Sequence, residues 1–280
     1  MKKTITILLA FLGLIGLLAG CSPALVDAVL VNTETIELTG ISDIEIAYGS
    51  ENITFFDSTD GNIVVKEYMS ENKEKYYAKV THSGSSLVIQ TGERPTITTF
   101  SSHVEVYLPS EYAGRLSIKT QSGTIKSNVN YTFSDFNAES QSGAIEFGNL
   151  TAANITIETK SGSITCNTVE GNISASSTSG HFLLTDIKGY GSFNADSSNV
   201  DLRFAEITGN ITAYSKSGSV DFSAPAGASF NLTATTNSGK INNSLSGNIN
   251  ATEKSATGSV GDSPEYTVNL STSSGKINVK

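Results

Sequence analysis

From Leu116 onward, apolar residues stand at every second position for a short run. A Ser-Gly pair then interrupts, and the alternation resumes. Period-two alternation marks a strand with one buried face. The pair recurs at Ser122-Gly123, Ser142-Gly143, Ser161-Gly162, Ser179-Gly180, Ser217-Gly218 and Ser238-Gly239, with Ser197-Ser198 in the vacant slot. The steps are 20, 19, 18, 18, 20 and 21 residues. Ser274-Gly275 lies 36 residues further on and Ser83-Gly84 lies 39 residues before Ser122, two periods in each direction.

Aligning the periods on the serine sorts the side chains into columns. Three residues after it stand Ile125, Ile145, Ile164, Phe182, Val200, Val220, Ile241 and Ile277. Four before it stand Ile118, Ala138, Ile157, Ala175, Phe193, Ala213, Ala234 and Leu270. Each period therefore predicts two short strands and a corner, with glycine expected to supply backbone freedom where the chain turns. Leu150, Val169, Ile187 and Ala205, eight after the serine, are expected to fill a third side. Residue classes that recur at fixed phase must stack. The expected fold is all-β: a single-domain parallel β-solenoid, or β-helix, with coils of about 19 residues rising about 4.8 Å each, in chain order. An antiparallel sandwich also shows short strands and turns, but it does not force one residue class to a fixed phase.

Residues 36–115 are less regular. Ile44–Ile46, Ile53–Phe55, Ile63–Val65, Leu87–Ile89 and Val104–Leu108 read as strands, and Asp60-Gly61 as a turn. Glu67 to Lys75 is charged and reads as a protruding loop or hairpin tip. This part is expected to form the first coils and a cap, since an open solenoid end exposes strand edges. The insert from Glu253 to Glu265 is expected to fold over the other end. The division is then 1–20 signal, 21–35 tether and 36–280 solenoid, with regular repeats over 116–280.

Lys2 and Lys3 precede an apolar run from Ile5 to Ala19, which reads as a secretory signal, too short for an ordinary membrane span. The run ends Leu18-Ala19-Gly20-Cys21 and resembles the lipobox of bacterial lipoproteins. That resemblance implies diacylglyceryl transfer to the Cys21 thiol, cleavage before it, and acylation of the new amine, palmitate-type chains holding the protein outside the cell membrane. Ser22 follows Cys21, so no Asp retention signal for an inner membrane is present. Cys166 is then the other cysteine and has no partner for an internal disulfide.

The line Val104-Glu105-Val106-Tyr107-Leu108-Pro109, followed by Leu116-Ser117-Ile118-Lys119-Thr120-Gln121-Ser122-Gly123-Thr124-Ile125 and by repeated Ser-Gly-x-Ile/Val coils, resembles a bacterial putative-adhesin family of surface proteins. Similar repeats occur in GIN head domains. The resemblance covers about residues 40–280 and implies the solenoid fold, with a domain of unknown function; it carries over no catalytic residue.

Composition narrows the chemistry. Ser, Thr and Asn number 40, 31 and 22, Trp is absent, and the net charge is −9, which argues against a nucleic-acid partner, since phosphate binding needs a basic face. Loss of Lys2 and Lys3 leaves 16 basic against 27 acidic residues, net −11, so an acidic body would be held at anionic lipid by its acyl chains rather than by charge. His82, His103 and His181 lack metal-ligand spacing, no nucleophile elbow or phosphate loop occurs, and neither a metal nor a cofactor is expected. Glu146, Asp201 and Asp221 share one outward phase, as the clustered acids of a polysaccharide-cutting solenoid would, but Thr165 and Leu183 separate Glu146 from Asp201, and a solvated carboxylate face is the better reading. Cys166 is inward by phase.

The strongest candidate surface is the outward column five before the serine: Ser117, Asn137, Thr156, Ser174, Ser192, Thr212 and Thr233, with Asn269 in the last coil. Stacked at coil spacing, these make a flat hydroxyl and amide face able to hydrogen-bond sugars, or simply the soluble side of a Thr-rich strand. The expected function is a non-enzymatic, lipid-anchored binding, adhesion or structural module of the cell envelope, touching the membrane through Cys21 and a glycan or an envelope protein through its surface. The alternatives are an envelope-stress or signalling accessory that binds a membrane protein, and a polysaccharide-active β-helix enzyme.

Overall fold

The computed structural model describes residues 27–96 and 99–280; the expected signal segment and Cys21 lie outside them. The middle of the molecule is a parallel β-solenoid. Strands Arg115–Thr120, Ile125–Ser140, Ile145–Thr159, Ile164–Ser177, Phe182–Ala195 and Val200–Ser215 pair in parallel, each with the next along the chain. Each long strand bends round the rod, running from the wall after one Ser-Gly corner to the wall before the next.

The apolar phase falls into register as the periodicity requires. Ile125, Ile145, Ile164, Phe182, Val200 and Val220 are neighbours in one column, each 0% exposed. Phe182, Phe193, Phe204, Phe222 and Phe230 pack in sequence with ring centroids 5.5–6.3 Å apart, largely edge to face, the arrangement favoured by the ring quadrupole. The third side holds Leu150, Val169 and Ile187 as expected, but the next position is Phe204, not Ala205. A register irregularity after Leu184 lets the larger side chain take the core slot and leaves Ala205 exposed.

The glycine corners work differently from the expectation of backbone freedom. Gly123, Gly143, Gly162, Gly180, Gly218, Gly239 and Gly275 are absent from the positive-φ residues. Glycine is required because the corners are stacked backbone on backbone. A Cβ at Gly143 would fall within 3.0 Å of the Gly123 carbonyl, one at Gly162 likewise against Gly143, and one at Gly180 against Gly162. At every glycine corner except that of Gly180, a hydroxyl three residues earlier accepts the glycine N–H. Ser140 Oγ accepts the Gly143 N–H at 2.8 Å, and Thr159 Oγ1 accepts that of Gly162 at 3.0 Å. Ser215 Oγ accepts from Gly218 at 2.8 Å and donates to the Ser198 carbonyl one coil below at 2.9 Å. Thr272 Oγ1 bonds Gly275 and the Gly218 carbonyl in the same way. Where Ala195 replaces the hydroxyl, Ser198 occupies the glycine slot and its own Oγ accepts from Gly180 at 2.7 Å.

Coil order departs from chain order at both ends. Strand Asp43–Ala47 lies between Ser86–Gln90 and Arg115–Thr120, parallel to both, and Asn52–Asp57 lies between Ser102–Leu108 and Ile125–Ser140. At the other end Tyr266–Thr272 is inserted between Val200–Ser215 and Phe230–Thr236, and Ile277–Val279 between Val220–Ser223 and Ile241–Asn243. The coil carrying Ser238 therefore stacks on the Ser274 coil, not on that of Ser217. Ser83-Gly84 is not a corner: it turns the antiparallel hairpin Lys79–Ser83/Ser86–Gln90, with Gly84 at φ +61°.

Antiparallel strands close both ends. Val29–Glu37 pairs with Asn62–Met69, which pairs with Ser102–Leu108, so residues 29–35 belong to the cap, not to a tether. Ser255–Val260, within the acidic insert, pairs with Phe230–Thr236 and with Asn248–Ala251, covering the far end. The charged stretch after Val65 is not a simple protrusion, because Glu67 is 0% exposed. It accepts from Asn32 Nδ2 at 3.0 Å and from the Ala78 N–H at 2.7 Å. Glu51, also buried, occupies the corner below Gly123 and accepts the Ser50 N–H at 2.9 Å. Arg94 neutralises both: Nε donates to Glu51, Nη1 donates to the Tyr76 carbonyl, and Nη2 lies 3.5 Å from Glu67.

Candidate polar face and groove

The wall before each corner carries the candidate column, and the sheet registers bring every member together. Ser117 neighbours Asn137, then follow Thr156, Ser174, Ser192, Thr212, Asn269 and Thr233. The inserted last coil puts Asn269 between Thr212 and Thr233. Thr257 of the cap extends the column past Thr233, and Glu45 precedes Ser117 at the other end. Short polar side chains take these positions because alternate residues, such as Ile155, Ile157, Ile173 and Ala175, face the core.

The members are not equally available. Ser174, Thr212 and Thr233 are exposed, while Asn137, Thr156 and Ser192 are half-buried. Ser117 is 3% exposed and its Oγ already accepts Asn137 Nδ2 at 3.3 Å, which removes it from the accessible face. The reason is local: Asn137 lies over it and bonds Glu139 as well, at 2.9 Å. Ser192 accepts Asn194 Nδ2 at 2.9 Å.

Beside this column, towards the corners, runs a groove of 540 Å³. Its lining includes Tyr48, Lys119, Gln121, Glu139, Gln141 and Lys160, with Ser176 and Thr178 at one end. A second depression of 150 Å³ shares Thr159, Ser176 and Thr178 and continues to Asn194 and Tyr214. The groove is thus bounded by tyrosines and lined by amides, hydroxyls and charges of both signs. Lys119 and Glu139 face each other at 3.8 Å. Gln121, Gln141 and Lys160, one before each serine, are the residues that phase reasoning passed over; the signal was their shared polar character at a corner position. Tyr48 is nearly buried, and burial, with the Glu67 and Glu51 carboxylates, pushes its phenol well above the ordinary value.

The other candidates are occupied by their neighbours. The registers do align Glu146, Thr165, Leu183, Asp201 and Asp221. Asp201 is held by Arg203 at 2.9 Å, Asp221 accepts Asn278 Nδ2 at 2.6 Å, and Glu146 lies 3.6 Å from Lys126. Among the described residues no three His, Cys, Asp or Glu side chains gather as a metal site. Cys166 is fully buried, and burial pushes its thiol up to about 12. His181 is exposed at a corner, and His103 stacks on Tyr68 with ring centroids 4.5 Å apart.

Fold and surface together define a capped β-solenoid scaffold whose side chains are displayed on flat walls. The chain belongs to the Toastrack DUF4097 family, whose pattern matches residues 41–280. None of the curated proteins matches it. Among solved structures it is similar to a putative adhesin from Bacteroides fragilis, at 14% identity and a TM-score of 0.48, covering 89% of this chain and 96% of that one. A putative adhesin from Parabacteroides distasonis shows 15% identity and a TM-score of 0.40 over 88% and 96% of the two chains. A putative cell adhesion protein from Clostridium sporogenes shows 12% identity and a TM-score of 0.33 over 89% and 97%.

Proposed function

We propose that this chain is a non-enzymatic binding module displayed outside the cell membrane, tethered by lipid at Cys21, with its polar wall and groove contacting an extended surface polysaccharide. The observation that carries the reading is the in-register column from Asn137 to Thr233 with the groove alongside it. Successive coils present equivalent hydroxyls and amides about every 4.8 Å along the rod. That repeat is close to the length of one sugar residue in an extended glycan, so consecutive sugars meet consecutive coils. Hydroxyls, amides and paired charges suit neutral or weakly charged polyols, which need many modest hydrogen bonds rather than one strong charge.

The test is a glycan array probed with the chain from Ser22 onward. All the strands described lie in that part. Ser174→Glu with Thr212→Glu abolishes binding while leaving the melting temperature unchanged. A native protein without glycan hits overturns the reading. Independently, alkyne fatty-acid labelling of the expressed full chain tags the native protein and not Cys21→Ala; equal labelling of both removes the tether.

A further inference from the structure

The outward face of the N-terminal cap differs from every wall described above. Among the described residues, the exposed large hydrophobic side chains are Val29, Leu30, Phe56, Val80 and Tyr190, and all but Tyr190 lie in the cap or the first coil strands beside it. The sheet registers bring Leu30 beside Tyr68, Tyr68 beside His103, and Tyr107 beside Phe56. Phe56 and Tyr107 stack at 5.1 Å and Tyr68 and His103 at 4.5 Å. Glu105 sits between the two stacks, and its Oε2 accepts both phenol hydroxyls, from Tyr68 at 3.0 Å and from Tyr107 at 3.1 Å. Lys66 Nζ lies 4.2 Å from the centroid of the Tyr107 ring.

This arrangement turns the polar ends of the rings inward upon one carboxylate and leaves apolar ring edges and an aliphatic side chain outward. Rings with one wet and one apolar end favour the boundary between water and lipid. A lysine beside them can reach lipid phosphates while its stem stays on the rings. A sugar platform is a poorer match, because it needs a free ring face. Here the ring planes stack on each other at 23° and 8°.

The position of the patch identifies its occupant. Leu30 is one of its members and stands nine residues after Cys21, with the apolar run Ile5 to Ala19 before that. Nine extended residues span at most about 30 Å. We propose that this patch is a second membrane contact: the N-terminal cap lays its aromatic wall against lipid headgroups beside the tether. The choice of lipid as occupant rests on the tether reading; the contact itself is tested without the tether. An acidic body is repelled from anionic lipid at long range, so a short-range apolar contact of this kind would fix how the rod leans on the bilayer.

The experiment uses the unlipidated chain from Ser22 onward and vesicles of phosphatidylcholine with a minority of phosphatidylglycerol. The native chain cosediments with them, and Phe56→Ser with Tyr107→Ser lowers the partition coefficient by about tenfold or more, the loss expected on withdrawing two rings from an interface. Tyr190→Ser leaves it unchanged. Because the chain lacks Trp, Tyr107→Trp is a single reporter that need not disturb the fold. Its fluorescence is quenched by brominated lipid, and that of Tyr190→Trp is not. A native chain that stays in the supernatant, a patch variant that binds as well as native, or equal quenching of both reporters overturns the proposal. So does a glycan hit that the patch variant loses while vesicles bind neither protein. Fatty-acid labelling at Cys21 reads the tether separately, so either idea can fail alone.

Discussion

Gly143 rests on the carbonyl of Gly123 with no room between them for a methyl group. The contact repeats up the rod, and it makes each corner glycine a spacing element rather than a hinge. Gly143→Ala is expected to cost about 3 kcal/mol or more, because backbone is not free to move aside as a side chain would. Gly61, with φ +75° and open space around its Cβ position, should lose only about 1 kcal/mol on the same change, from strain alone. Urea unfolding of the two variants distinguishes them.

The corner hydroxyls should be separable from side-chain volume. Thr272→Val keeps the shape but leaves the Gly275 N–H and the Gly218 carbonyl without their shared partner. A loss of about 1–3 kcal/mol is expected, with Thr272→Ser close to native. If valine is tolerated as well as serine, the hydroxyl is only filler.

Arg94 faces two buried carboxylates at the N-terminal end. Arg94→Ala strands Glu51 and Glu67 and is expected to destabilise by about 3–5 kcal/mol. Adding Glu51→Gln should restore part of that loss. Thermal melts of the single and double variants measure the coupling; additive losses would show that the guanidinium is not what balances them.

Alkali should unfold the protein. Burial pushes Cys166 up from 9.0 to about 12, and burial likewise raises Tyr48, Tyr112 and Tyr131 above 10.0. For groups raised on folding, the stability is fully present below the unfolded value and is lost as pH climbs towards the folded one. Urea midpoints should therefore hold steady up to about pH 9 and fall above it. At pH 8 the native Cys166 thiol should resist a thiol reagent until denaturant is added.

Ile164 stands in the middle of the inward column with neighbours Ile145 and Phe182. Ile164→Asp buries an unpaired carboxylate in several coils' shared core and should prevent folding, whereas Ser174→Glu, outward-facing on the next wall of the same strand, should not change the melt. Circular dichroism of the two variants makes the comparison.

Much of this architecture is legible in the residues because a column repeats one physical demand many times. Ile125, Ile145, Ile164 and Phe182 each need the same dry side of a strand, so phase alone places them. The same logic sets out the candidate polar wall, apart from Ser117, whose burial depends on the longer Asn137 beside it. Phase does not disclose which coil lies next to which. Ser238 and Ser274 have equivalent surroundings at 36 residues' separation, and only the pairing of Tyr266–Thr272 with Val200–Ser215 decides their order. Nor does it disclose Glu67, whose burial depends on partners as distant as Asn32 and Arg94. The Ser-Gly pairs from Ser122 onward are corners, as the repeat predicts, but through stacked backbone rather than backbone freedom, since a sequence shows the absence of a Cβ and not what would strike one.

The insertion of Tyr266–Val279 between earlier coils has a consequence for biosynthesis. The segment that seats the outermost coil follows that coil in the chain, so Phe230–Asn243 is synthesised before the surface it will rest on exists. A chain synthesised from its amino end winds coils as far as Val220–Ser223 as they arrive, then must hold the next stretch open until Tyr266–Val279 slides beneath it, like a keystone set after the arch. Closure of the rod, and with it protection of its distal edge, therefore waits on Tyr266–Val279.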